Sequence, residues 1–260
     1  MLLRMSSIGW IVALSIAQAL TMLASLEAGF RAGIRAPRMP QPDEGLRAIE
    51  AALFALMGLM LGFAFAGAVS RLDARRELIV REANAIGTAY LRVDLLPAAV
   101  QPELRQLFRR YLEARLRVYT ELADPSPARR AASEAVELQQ QIWQAVVAAR
   151  AADPTGDAAR VVVPALNEMI DVTTARTVAQ QTRLPLPILG LLLALAVLSA
   201  FVAGYAMASR GRRSLVHMVL YAVAVSLTTY IVFDLDNPRI GLIRLDAAEQ
   251  ALRQLHDSIR

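Results

Sequence analysis

Four uncharged apolar windows organise the chain: Met5–Leu26, Ala51–Ser70, Leu184–Ser209 and Ser214–Phe233. Each is long enough to cross roughly 30 Å of hydrocarbon as a helix, which predicts four transmembrane helices. Between the second and third windows the pattern changes to amphipathic, with apolar residues recurring every three or four positions, and strand-like alternation is missing. The predicted class is therefore an all-α integral membrane protein, with a helical insert between spans two and three. Boundaries follow: 1–70 for spans one and two, 71–183 for the insert, 184–233 for spans three and four, and 234–260 for a C-terminal tail. A cleaved signal peptide is the competing reading of the first window, since Arg4 precedes it and small residues lie near Ala24 and Ser25. The run is longer than an ordinary signal core and no small-x-small site follows, which favours a span.

Prolines punctuate the insert. The stretch between Pro42 and Pro97 has none and stays helical in pattern, so the second span is expected to leave the membrane as one rod. The expected helices after it are Pro102–Ala123, Pro127–Ala152 with Ser126 as its N-cap, and Asp157–Thr182, kinked or restarted at Pro164.

Composition narrows the chemistry. The chain is 56% hydrophobic, with a mean hydropathy of +0.40, which is too apolar for an ordinary soluble domain. Cysteine is absent and every basic residue is an arginine. Thiol nucleophiles, zinc thiolate sites, Schiff-base chemistry and the P-loop lysine are thereby removed. No G-x-S-x-G, G-x-G-x-x-G or Walker pattern occurs, so an enzyme is not expected. The net charge of +5 is carried by arginines flanking the apolar runs, where anionic headgroups explain it better than nucleic acid. Arg4, Arg71, Arg75, Arg76, Arg81, Arg176, Arg183, Arg239, Arg244 and Arg253 outnumber Arg31, Arg35, Arg38, Arg47, Arg210, Arg212 and Arg213, which favours the insert and both termini in the cytoplasm of a bacterial inner membrane. The tight RGRR turn after span three argues the other way.

Two charges interrupt apolar faces. On a helical wheel, Leu78, Ile79, Ala83, Ile86, Ala89, Tyr90 and Val93 share a sector, and Glu82 falls inside it. The next helix has an apolar face of Leu104, Leu107, Phe108, Tyr111, Leu112 and Val118, with Arg115 near its centre. Folded about the Pro97–Pro102 turn, Glu82 and Arg115 lie at nearly equal distances from it, which predicts a buried or half-buried ion pair setting the hairpin's register. Snorkelling of both groups to the rim is the alternative.

Span two carries Gly58, Gly62, Ala66 and Ser70 at every fourth position, a small-residue stripe suited to close helix packing. One reading repeats this helix about an oligomer axis, with Met57, Leu61 and Phe65 as an apolar constriction and Arg71, Arg75 and Arg76 attracting anions at the inner mouth. The other reading is ordinary packing within one chain. After span four, Asp234 and Asp236 stand at a helix C-terminus, where the macrodipole disfavours them. With Asn237 they offer hard oxygens to a cation such as Ca2+, while pairing with arginines or a plain Asp-Asn-Pro turn are the alternatives. His217 reads as a polar cap at the membrane edge, and His256 as part of an exposed tail.

Several strings together, LGFAFAGAVSRLDARRELIVREANAIGTAYLRVDLLP, LFRRYLEARLRVY, VVVPALNEMIDVTTAR and FDLDNPRIGLIRLD, resemble the bacterial membrane-protein family that carries a bestrophin-like domain. The resemblance covers about Ala51 to Asp246. It implies kinship with bestrophins: pentameric calcium-activated anion channels with four membrane helices, a pore-lining second helix and a helical cytosolic region. Where bestrophins have a dense carboxylate run as a calcium clasp, this chain has Asp234 and Asp236, with Asp246 and Glu249 further on. The expected function is an oligomeric, channel-like protein passing small ions in a lipid bilayer as a homo-oligomer. The alternative is a non-conducting scaffold or sensor whose insert binds a protein partner.

Overall fold

The computed structural model describes residues 2–36, 44–120, 125–152, 157–211, 213–237, 243 and 246–259. Among them all regular structure is helical: α1 Leu2–Arg35, α2 Glu44–Arg92, a 3-10 turn Val93–Leu95, α3 Gln101–Thr120, α4 Pro125–Ala152, α5 Ala158–Gln181, α6 Leu186–Ser209, α7 Leu215–Asp236 and α8 Asp246–Ser258. Four stretches are long and apolar enough to span a membrane, in α1, α2, α6 and α7. They cover the four apolar windows.

The chain divides into two compact units. One holds Leu2–Arg71 and Arg183–Ile243, and the other Leu72–Thr182 with Arg244–Arg260. Helix α2 contributes to both.

In the first unit the core is Met22 and Leu26 of α1, Met57 of α2, Leu195, Ala196, Ala200 and Ala203 of α6, and Met218, Ala222 and Val225 of α7. The alanines are the point: small side chains let helix backbones approach, which is the source of dispersion energy where lipid is as apolar as protein. Two glycines take this to its limit. A Cβ on Gly204 would lie 2.0 Å from the Leu26 carbonyl oxygen, and one on Gly29 would lie 2.0 Å from that of Phe201. Buried polar groups pair across the same helices, with the Gln18 amide donating to Thr229 Oγ1 at 3.2 Å and Ser25 to the Val197 carbonyl at 2.8 Å.

In the second unit α3 packs against α4. The buried rows are Leu104, Phe108, Tyr111, Leu112, Arg115 and Val118 on α3, and Ala131, Ala135, Leu138, Ile142, Val146 and Ala149 on α4. Their three- and four-residue spacing is that of a coiled-coil seam. Helix α2 ends as the proline pattern requires: Leu96, before Pro97, is extended, and its N–H closes the 3-10 turn onto the Val93 carbonyl.

The helix bounds differ from expectation in two places. Helix α4 starts at Pro125, so Pro127 still lies in a first turn whose N–H groups lack intrahelical partners anyway. Helix α5 begins at Ala158 and runs through Pro164 without restarting there. The tail is the larger correction. Residues 246–258 form α8, which packs on α3 and buries Leu252 completely. His256 is therefore only 22% exposed, with Glu113 of α3 3.9 Å away. The spacing of Leu252, Leu255 and Ile259 gives that helix its apolar stripe.

The α1–α6 contact yields a direct test. Gly204→Val and Gly29→Val each drive a side chain into backbone, so each should destabilise by at least the roughly 1–3 kcal/mol of overpacking. Gly190→Val, with open space at its Cβ, should change little; thermal unfolding of the detergent-solubilised variants separates the cases.

Candidate functional site

Three helices of the second unit converge on one carboxylate. Glu82 of α2 is fully buried, and its Oε1 accepts from Arg115 Nε of α3 at 2.5 Å. Its other oxygen, Oε2, accepts from Arg176 Nη1 of α5, itself only 3% exposed. The structure thus brings Glu82 and Arg115 together and adds a third helix that the sequence pattern did not supply. The signal for Arg176 was present: Val162, Leu166, Met169 and Val172 make a helical stripe on α5, and Arg176 is its one charged continuation. Burial pushes the Glu82 carboxyl up, but the Arg115 and Arg176 guanidiniums together outweigh burial and hold it below the usual carboxylate range. Tyr111, packed beside them, shares a 3.1 Å hydrogen bond with Thr173 Oγ1. Burial first, then the nearby Glu82 charge, pushes its phenol up, against the opposing pull of Arg115.

The rest of the EANAIGTAYLR motif has a purpose too. Gly87 faces α8, and a Cβ there would lie 3.1 Å from Leu255 Cδ1. Tyr90 stacks edge-on against Phe108 and accepts from Arg105, whose guanidinium also lies over the Tyr90 ring and pairs with Asp94.

The arginines expected at an inner mouth are all engaged within the chain. Arg71 makes a two-pronged contact with Asp236, Nε to Oδ1 at 2.7 Å and Nη2 to Oδ2 at 3.0 Å. Arg75 is buried and donates to the Ala179 and Thr182 carbonyls at 3.1 and 2.7 Å, capping the C-terminus of α5. Arg76 lies 3.2 Å from Asp73. Arg71, Arg75 and Arg76 thus each have at least one intrachain acceptor.

The acidic stretch after α7 is likewise committed to protein donors. Asp236 Oδ2 also accepts the Leu184 N–H at 3.1 Å, and Asp234 Oδ2 accepts the Ile243 N–H at 3.0 Å. Asn237 turns its amide back onto the Phe233 carbonyl at 2.9 Å. Among the described residues no group of three or more His, Asp or Glu is placed to hold a metal ion. The macrodipole problem at Asp236 is thus resolved by Arg71.

Met57 and Leu61 are not on an outward face. Met57 is buried, with Ser199 Oγ 3.3 Å and Tyr221 OH 3.4 Å from its sulfur, and Leu61 packs on the same core. Only Phe65 of the three expected constriction residues is exposed. The face of α2 that no other part of the described chain covers carries Ala55, Leu59, Gly62, Ala66 and Ser70, with Phe63 at its edge. The small-residue stripe stands open there: a Cβ on Gly58 or Gly62 would meet nothing within 4 Å.

The bestrophin-like domain model matches residues 43–249. The chain belongs to the bestrophin-like family. Solved structures agree in fold: two single-substitution variants of a bacterial bestrophin homologue from Klebsiella pneumoniae superpose with a TM-score of 0.64 at 17% identity. They cover 94% and 96% of this chain and 98% of their own. A third structure, described as a membrane protein, matches at a TM-score of 0.60 and 16% identity, over 96% of this chain and 98% of its own. No curated protein sequence matches the chain.

Glu82 generates a prediction with a defined sign. Its folded pKa lies below the unfolded value, so the stabilisation it provides is complete above the ordinary carboxylate range and is lost as pH falls through the depressed value. Glu82→Gln leaves the guanidiniums without their buried counter-charge and should cost about 3–5 kcal/mol at neutral pH. It should also flatten the acid limb of a plot of unfolding midpoint against pH; an acid limb identical to that of the parent would count against the node.

Proposed function

We propose that the chain assembles as a homo-oligomer in a bacterial inner membrane and passes small ions along an axis lined by the outward face of α2. The observation that carries this reading is that face. It stays uncovered by the rest of the described chain from Ala55 to Ser70, although it lies on the most apolar part of the longest helix. Small residues alternating with Leu59 and Phe63 suit close approach to equivalent helices. In this arrangement Leu59 and Phe63, 52% and 63% exposed, take the role of the apolar constriction, because Met57 and Leu61 are used in the chain's own core. The fold supports the reading, since the family's architecture is channel-like. The arginines of the second unit favour the cytoplasmic side for it and for both termini.

A second reading is favoured by a different observation. Val136, Val147 and Val178 on α4 and α5 are each about half exposed, which suits a non-conducting scaffold whose helical unit binds a protein partner.

The native mass of the detergent-solubilised protein, with bound detergent subtracted, separates the two. A closed ring of about four or more subunits is expected, since each must give one α2 to a shared axis. A monomer or simple dimer would remove the pore and leave the scaffold.

A further inference from the structure

A lipid site in the first unit stands apart from the pore reading. Helices α1 and α6 run parallel and in step: Ser25 meets Val197, Gly29 meets Phe201 and Gly33 meets Tyr205, each pair 172 residues apart. Carried back along both segments, that register puts Arg183 level with Ile11, one residue from Trp10. Helix α7 gives the same level independently. It runs antiparallel to α1, with Gln18 against Thr229, so Asp236 also falls level with Ile11, and Asp236 accepts the N–H of Leu184.

This level is one edge of the membrane. Arg31 lies about twenty residues further along α1, and Glu50 about as far back along α2 from Arg71; twenty helical residues rise roughly 30 Å, the thickness of a hydrocarbon core. Ion pairs mark the far edge, Glu27 with Arg31 and Arg213, and Glu50 with Arg210. The near edge is charged differently. Arg71 is held by both oxygens of Asp236, whereas Arg183 is exposed and makes no ion pair or hydrogen bond with a described residue. Trp10 is 69% exposed, and Leu186 and Ile188, just inside the edge from Arg183, are 79% and 42% exposed.

Three chemistries are thus stacked in order of depth. A guanidinium forks onto phosphate oxygens, an indole rests at headgroup depth, and alkyl side chains meet acyl chains. We infer that Arg183 and Trp10 hold the headgroup of an anionic phospholipid, with Arg183 donating to its phosphate and Leu186 and Ile188 lying along the first methylenes of an acyl chain. Charge complementarity makes the lipid anionic. Arg183 has no carboxylate of its own to neutralise it, and a choline or ammonium headgroup would bring a second cation beside it.

Brominated phospholipids quench a tryptophan they touch, and the chain has two, Trp10 and Trp143. Full-length Trp143→Phe protein, reconstituted in mixtures of phosphatidylglycerol and phosphatidylcholine with one or the other brominated, therefore reports the lipid beside Trp10 alone. Phosphatidylglycerol should be preferred about five-fold, the share that one arginine near an anionic surface supplies. In the same background Arg183→Gln should abolish the preference and Arg183→Lys should retain most of it. Arg35→Gln removes an equal charge from an exposed site at the far edge and should leave the preference unchanged. Because Arg183 is exposed, unfolding midpoints equal to the parent's are expected and verify that each variant is folded. Equal quenching by the two lipids overturns the inference. So does a preference that survives Arg183→Gln, is lost equally in Arg183→Lys, or falls as far with Arg35→Gln.

Discussion

The second unit depends on one buried carboxylate. Glu82 is out of water entirely, and an uncompensated charge there would cost several kcal/mol. It is compensated by guanidiniums that arrive on two other helices, so the node constrains three elements at once. A shift of α3 by one residue along α2 would turn Arg115 about 100° away from the carboxylate. A rotation of α5 would do the same to Arg176. Apolar seams such as Leu104–Val118 against Ala131–Ala149 tolerate small slips in register, since one methyl is much like another. A charge-assisted hydrogen bond does not, because it is directional and its loss leaves a buried ion. The node therefore contributes uniqueness of packing more than net stability.

The same principle recurs in the first unit at Asp236. There a carboxylate at the unfavourable end of a helix dipole is held by both prongs of Arg71 and by the Leu184 N–H at the start of the segment leading into α6. One side chain so ties α2, α7 and the entry of α6. Arg75 works in reverse, a buried cation spread over the last carbonyls of α5.

The membrane helices solve a different problem. Without a hydrophobic drive to associate in lipid, α1 and α6 come close enough for glycine to be required at positions 29 and 204, and alanines supply the rest of the contact. Helix α2 takes part in this core through Met57 and Leu61 only on one side. Its other side, with Gly58 and Gly62 in open space, is built from the same kind of residue but meets no other helix among the described residues.

Much of this was legible in the sequence, because bilayer thickness sets a length for apolar windows and proline marks where helices stop. Glu82 and Arg115 could be singled out since a charge inside an apolar stripe is visible at a period of 3.6, and a hairpin about Pro97 fixes how far each lies from the turn. Arg176 was not found, as pairing α2 with α5 depends on packing between segments ninety residues apart, which no local period encodes. Nor could the sequence tell which side of α2 faces inward: both sides are small or apolar, so hydropathy cannot distinguish Met57, buried, from Phe63, exposed. The tail read as exposed, yet Leu252 is buried in it and Leu255 sits against Gly87. Local period and length determined the helices; only the tertiary structure decided which charges meet, because an ion pair depends on three-dimensional distance while a hydrophobic pattern depends on order along the chain.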